Sequence, residues 1–251
     1  MTPKDSAPGA PGERGSAPGA PGERGSASGA PGERGSASGD PGERGAAVGR
    51  RIGLGLMHSL WRPRVLGAWR VPPGGPVIMA VNHAHNVDGP MLMGTAPRPV
   101  HFLIKKEAFV GPLDAFLRGI GQLKVDRTSA DRNAVTSALG VLARGGVLGI
   151  FPEGTRGEGD FASLRSGLAY FALRSGAQVV PVVVLGSADR PGRLIRALPP
   201  LRSRVDVVFG DPFTVGDGSG RRTRKALDQA TVQLQERLTA HLKDARRLTG
   251  R

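Results

Sequence analysis

Five short runs of apolar, largely β-branched residues constrain the fold more than any other feature: Val77 to Val81, His101 to Ile104, Val147 to Phe151, Val179 to Leu185 and Val205 to Phe209. Several are apolar at consecutive rather than alternate positions, the pattern of a strand covered on both faces. Helical stripes lie among them. Val135, Ala138, Leu139 and Leu142 form one, closed by Gly145-Gly146; Leu164, Leu168, Phe171 and Ala172 form another, closed by Gly176. Leu227, Ala230, Leu234, Leu238 and Leu242 mark a long amphipathic helix near the end. Strands separated by helices give an α/β fold, a layered domain whose largely parallel central sheet is flanked by helices.

The first part of the chain cannot join such a core. A ten-residue unit recurs four times between Ser6 and Gly45, each time ending in Pro-Gly-Glu-Arg-Gly, and contains no large apolar residue. With nothing to bury, it cannot offset the chain entropy lost on folding, so residues 1–45 read as disordered. Glycines 9, 12 and 15 imitate collagen spacing, but the next is Gly19. That four-residue step recurs in every unit and destroys the register of a triple helix.

The repeats are nearly neutral, so the net charge of +14 belongs to the remainder, which carries about +15. Such an excess favours an anionic partner: a phospholipid surface, a phosphorylated substrate or nucleic acid. There are no cysteines, which removes disulfides, thiolate metal sites and cysteine nucleophiles. No run of about eighteen apolar residues suggests a membrane span, and the N-terminus lacks the layout of a secretion signal. Residues 46–71 interleave Ile52, Leu54, Leu56, Leu60, Trp61 and Trp69 with Arg50, Arg51, Arg62, Arg64 and Arg70. Two readings fit this segment: a helix lying in a membrane interface, or a packing helix with a solvated basic face. Pro63 should break it, and Gly49, Gly53 and Gly55 weaken it. The domain proper then spans 72–251.

Two short segments carry chemistry. Asn82-His83-Ala84-His85-Asn86-Val87-Asp88 follows the first apolar run, at the carboxyl end of a strand, where sites of open α/β sheets emerge. On one continuous helix, residues five apart point about 140° away from each other. His83 and Asp88 therefore meet only if a turn intervenes, with Asp88 opening the next helix. An imidazole oriented by a carboxylate can take a proton from an alcohol. By itself the spacing is explained as simply by Asp88 capping a helix and His83 sitting in a loop. The second segment, Phe151-Pro152-Glu153-Gly154-Thr155-Arg156, follows another apolar run and puts an acceptor, a hydroxyl and a guanidinium on one turn. Arg156 suits bidentate phosphate binding.

Together, in this order and about seventy residues apart, the two segments resemble the glycerolipid acyltransferases of the lysophosphatidic acid acyltransferase type. Gly121 to Arg127 is similar to a further block of that family, and Val180 to Gly186 to another, so the likeness covers roughly residues 71–210. His85 stands where the family commonly has a small polar residue, and Lys124 interrupts an otherwise apolar run. The resemblance implies a glycerol-3-phosphate acyltransferase-like fold, with 72–251 as an acyltransferase domain. It implies His83 as base and Asp88 as its orienting partner, and Arg127, Glu153, Gly154, Thr155 and Arg156 at the acceptor phosphate. Lys105, Lys106 and Arg165 are further candidates.

The implied reaction moves a fatty acyl group from acyl-CoA or acyl carrier protein, as co-substrate, to the free hydroxyl of a lysophospholipid, 1-acylglycerol 3-phosphate first among them. Glycerol 3-phosphate, another lysophospholipid or a specialised lipid are alternative acceptors. No cofactor or metal is called for. An anionic membrane surface is the expected partner, and the cytoplasmic face of the cell membrane the expected place, with peripheral or monotopic attachment. A nucleic-acid-binding protein would also explain the charge, but base-stacking aromatics are few and no binding motif is present. A catalytically silent lipid-binding relative sits poorly with an intact His83 and Asp88, and no Gly-X-Ser-X-Gly elbow suggests a serine hydrolase.

Overall fold

A computed structural model describes residues 42–128, 131–154, 156–187, 198–216 and 223–251. The repeats up to residue 41, and Thr155, lie outside them. Seven strands form one sheet: β1 (Arg62–Leu66), β2 (Val77–Val81), β3 (Val100–Lys105), β4 (Leu123–Val125), β5 (Val147–Ile150), β6 (Gln178–Leu185) and β7 (Arg204–Phe209). Their order is β1-β7-β6-β2-β5-β3-β4. All neighbours are parallel except β6 and β7, so β7 and β1 run against the rest. Among the described residues six α-helices accompany them: α1 (Glu43–Leu60), α2 (Asp88–Thr95), α3 (Gly111–Gly119), α4 (Arg132–Ala143), α5 (Gly167–Ser175) and α6 (Arg224–Thr249). The mainly parallel α/β sheet agrees with the sequence reading, and each of the five apolar runs is a strand.

Burial explains why those runs are apolar throughout. Every residue of β2 is buried. Ile78 and Ala80 pack with α4, α5 and α6 through Leu142, Leu168, Leu234 and Leu238. Val77, Met79 and Val81 pack on the other face with Met57 of α1 and Met91 and Leu92 of α2. A strand between two helical layers has no solvent face, and alternation disappears.

The segment 46–71 differs from expectation. Its α-helix ends at Leu60 and a single 3₁₀ turn follows at Ala68–Arg70; Pro63 lies within β1, paired in parallel with Val205. Proline is tolerated there because β1 is an edge strand, where a missing amide leaves no partner on its open side. The glycines of α1 also have a use. A Cβ on Gly49 would meet the Ile120 Cβ at 2.9 Å, and one on Gly94 of α2 would meet the Gly53 carbonyl carbon at 2.6 Å. α1 thus approaches α2 backbone to backbone. The helix propensity lost at glycine is exchanged for a contact that no other residue allows. Trp61 is buried in this layer, whereas Trp69 is exposed.

Chain direction fixes where a crevice opens. After β2 the chain passes through α2 on one face, and after the neighbouring β5 it passes through α5 on the other. Loops that leave adjacent strands toward opposite faces leave a gap between them, the switch point at which open α/β sheets bind ligands.

Candidate active site

The loop 82–87 leaves β2 at this gap and is fixed at both ends. Asn82 is buried; its amide donates to the Val184 carbonyl at 3.1 Å and its oxygen accepts from the Val184 N–H at 2.7 Å. This clips the end of β2 to β6. At the other end Asp88 begins α2 and is fully buried. Its Oδ2 accepts from the Ala84 N–H at 2.9 Å and the His85 N–H at 2.6 Å, and its Oδ1 from the Ser187 hydroxyl at 2.7 Å. The residue at the N-cap position is Val87, and these amides lie upstream of the helix. Asp88 therefore does not cap α2; it folds the preceding loop around itself.

The fourth donor is His83, whose Nδ1 lies 3.4 Å from Asp88 Oδ2. The turn that the spacing required is present. Since Asp88 also receives two amides and a hydroxyl on the same carboxylate, it acts as acceptor throughout. The proton on that side belongs to Nδ1, which leaves the Nε2 lone pair for an incoming hydroxyl. The imidazole stacks on Phe151 at 4.1 Å between ring centroids, and Phe151 in turn on Phe102 at 5.6 Å. An aromatic wall thus sets the ring plane. His85 does not compete for Asp88 through its ring: it gives Asp88 its backbone amide while its Nδ1 faces the Val87 N–H at 3.5 Å.

The loop after β5 folds over the first. Gly157 N–H donates to the His83 carbonyl at 3.0 Å, and the Arg156 guanidinium bonds Asn86 Oδ1. Gly154 adopts a left-handed φ of 76°, and a side chain there would run into Arg165, so glycine serves both the turn and the approach of that guanidinium. Arg165 is tied by its own N–H to the Pro152 carbonyl at 2.8 Å. From the end of β4, Arg127 donates to the Gly154 carbonyl. The exposed Arg127, Arg156 and Arg165 thus converge on one turn beside the His83 loop.

Glu153 has a different role from these cations. Its Oε1 accepts from the Phe161 N–H at 3.2 Å, and half-burial raises its carboxyl above the usual carboxylate range, against that bond and the nearby His83. When ionised it cannot donate to a phosphate. In this structure it shapes the loop, bracing a fully buried Phe161 whose φ of 59° is left-handed. The Gln235 amide of α6 donates to the carbonyls of Phe161 and Ala162, at 3.3 and 2.7 Å. A strained core residue held from two sides fixes a loop shape that the loop alone would not keep.

The two lysines separate. Lys106 Nζ pairs with Asp126 Oδ2 at 2.7 Å, which raises the lysine and, together with two bonds from Thr128, holds the Asp126 carboxyl far below its ordinary value. Lys106 braces the turn that carries Arg127, while Lys105 is exposed at the end of β3. Sequence reasoning assigned no role to Ser187, Phe151, Phe161 or Gln235. Phe151 was within reach, as part of the second segment. The others reach the site only through the fold.

The chain is similar to known proteins in sequence and in fold. Residues 62–185 match the family described as Acyltransferase. The chain is 25% identical over 177 residues to a 1-acyl-sn-glycerol-3-phosphate acyltransferase of Bacillus subtilis, covering 70% of this chain and 85% of that protein. It is 31% identical over 134 residues to one so named from Borreliella burgdorferi, covering 50% of this chain and 54% of that protein. It therefore spans most of the Bacillus relative and about half of the other. In structure it resembles the 1-acyl-sn-glycerophosphate (LPA) acyltransferase of Thermotoga maritima, with a TM-score of 0.59 at 21% identity over 80% of this chain and 78% of that one. At that identity the likeness concerns the fold.

Proposed function

Starting from a chain that belongs to the acyltransferase family, we propose that it transfers a fatty acyl group to the free hydroxyl of a lysophospholipid, with 1-acylglycerol 3-phosphate as the acceptor. The observation that carries this reading is the pairing of His83 with a buried Asp88 directly beside the turn on which Arg127, Arg156 and Arg165 converge. A base for a hydroxyl and cations for a phosphate lie next to each other, as a phosphate-bearing alcohol requires.

In this reading Nε2 of His83 takes the proton as the acceptor oxygen attacks the thioester carbonyl of acyl-CoA or acyl carrier protein. A C–O bond forms, the tetrahedral intermediate collapses, the C–S bond breaks, and the leaving thiolate takes the proton back from the imidazolium. Asp88 holds the ring in one tautomer and stabilises the transient cation. The arginines hold the phosphate so that the hydroxyl approaches Nε2.

A lipid acceptor brings the site to a bilayer. Among the described residues no helix is long and apolar enough to cross a membrane. Val48, Ile52 and Leu56 of α1, four residues apart, are nonetheless exposed, as are Val110, Leu113 and Phe116 at and within α3. Arg44 and Arg51 accompany them. An apolar stripe edged with arginine suits an anionic membrane surface. We read the chain as peripheral, on the cytoplasmic face where both thioester donors are found.

The test is turnover by purified protein with acyl-CoA or acyl carrier protein and a panel of acceptors, each offered as monomer and in anionic vesicles. Lysophosphatidate should be preferred, and more so in vesicles; His83→Ala should lose about 10²–10⁴-fold in rate. Turnover retained by His83→Ala would refute the mechanism. Equal rates on monomers and vesicles would remove the membrane contact, and a preference for an acceptor without phosphate would remove the named substrate.

A further inference from the structure

We propose that Ser187 is a positioning residue for this reaction, the third member of a His83–Asp88–Ser187 chain that aims the base. The inference rests on the acyl-transfer reading of the site and deepens it. Ser187 is 99 residues from Asp88 in sequence, follows β6, and is almost fully buried. Its hydroxyl donates to Asp88 Oδ1 at 2.7 Å, while His83 and two backbone amides occupy Oδ2.

The geometry around Ser187 is built rather than incidental. β6 lies beside β2, and the Asn82 side chain locks the two together at Val184, three residues before Ser187. Gly186 then turns the chain with a φ of 85°; a Cβ there would meet the Arg251 guanidinium at 2.6 Å and the Arg204 carbonyl at 2.8 Å. Only glycine makes this turn without displacing its neighbours, and the turn sends the hydroxyl under Asp88.

The consequence is directional. A carboxylate held by Oδ2 alone can rotate about the bond to its carbon chain. Fixing Oδ1 from the far side stops that rotation and holds Oδ2 toward Nδ1 of His83. The His83 contact is the longest of the four, so it is the one most sensitive to the angle of the carboxylate. Ser187 touches neither substrate nor the reacting atoms. It acts through Asp88.

Kinetics with lysophosphatidate and acyl-CoA distinguish this role from packing. Ser187→Ala should lower kcat roughly tenfold, the worth of one buried hydrogen bond, while the acceptor KM stays within about twofold. Ser187→Thr, which keeps the hydroxyl on the same carbon, should recover most of that loss. Wild-type kcat in Ser187→Ala, with the change confined to the melting temperature, would overturn the inference. No turnover by the wild type would overturn the acyl-transfer reading, and a His83→Ala control that still turns over would overturn His83 as the base and this inference with it. A dead His83→Ala beside an unimpaired Ser187→Ala overturns the inference alone.

Discussion

The loops that follow β2 and β5 leave neighbouring parallel strands at the same end of the sheet, yet they are built on opposite plans. In the first, the polar groups at both ends are buried and bonded to the protein itself: Asn82 to β6, Asp88 to four donors. In the second, the turn is secured by backbone bonds, and its long cationic side chains remain exposed at the rim. On the proposed reading, the group that takes the proton is the one whose orientation is fixed by buried bonds. The cations proposed for the headgroup are exposed, Arg127 and Arg156 resting on the Gly154 carbonyl and Asn86 Oδ1, partners that a phosphate would replace.

If that division is right, substitutions in the two loops should fail differently. The largest effect should come from Asp88→Asn, where the amide retains one acceptor but turns an N–H toward donors. Turnover should fall about 10²–10⁴-fold, and the fold should lose roughly 1–3 kcal/mol to the unpaired buried groups. Steady-state kinetics with denaturant titration measure both, and an active, equally stable variant would break the comparison. Arg156→Ala should instead raise the KM for lysophosphatidate about ten- to a hundredfold, with little change in kcat or melting temperature. A fall in kcat alone would move Arg156 into the rigid group.

The smallest effect concerns Glu153. Burial raises its carboxyl, so the folded protein binds that proton more tightly than the unfolded chain. The protonated form's contribution is present below the unfolded value and lost as pH rises through the raised folded one. Glu153→Gln keeps an acceptor for the Phe161 amide and never ionises. It should melt about 1–3 °C higher than the parent near pH 7 and alike below about pH 4. Thermal melts across that interval check the sign; a lower melting temperature near pH 7 would show that the charge is needed by the loop.

What could be read from the sequence followed from how residues are buried. β2, β5 and β6 announce themselves because both of their faces are covered. β1 does not: as an edge strand it tolerates Pro63 and two arginines, and its charge pattern resembled the end of a helix. The glycines of α1 counted against a helix because propensity registers their cost but not the contact with Gly94. At the site, His83 and Asp88 were legible because a short turn joins them. Ser187 was not, because only the neighbouring of β2 and β6 brings residue 187 beside residue 88. Lys106 was a further candidate by position, and only the fold shows its ion pair with Asp126.

The touching backbones of Gly53 and Gly94 have a mechanical side as well. Where helices meet through side chains, rotamers cushion small shifts; where main chain rests on main chain there is nothing to yield. α1 and α2 are therefore joined main chain to main chain, and Asp88 is the first residue of α2.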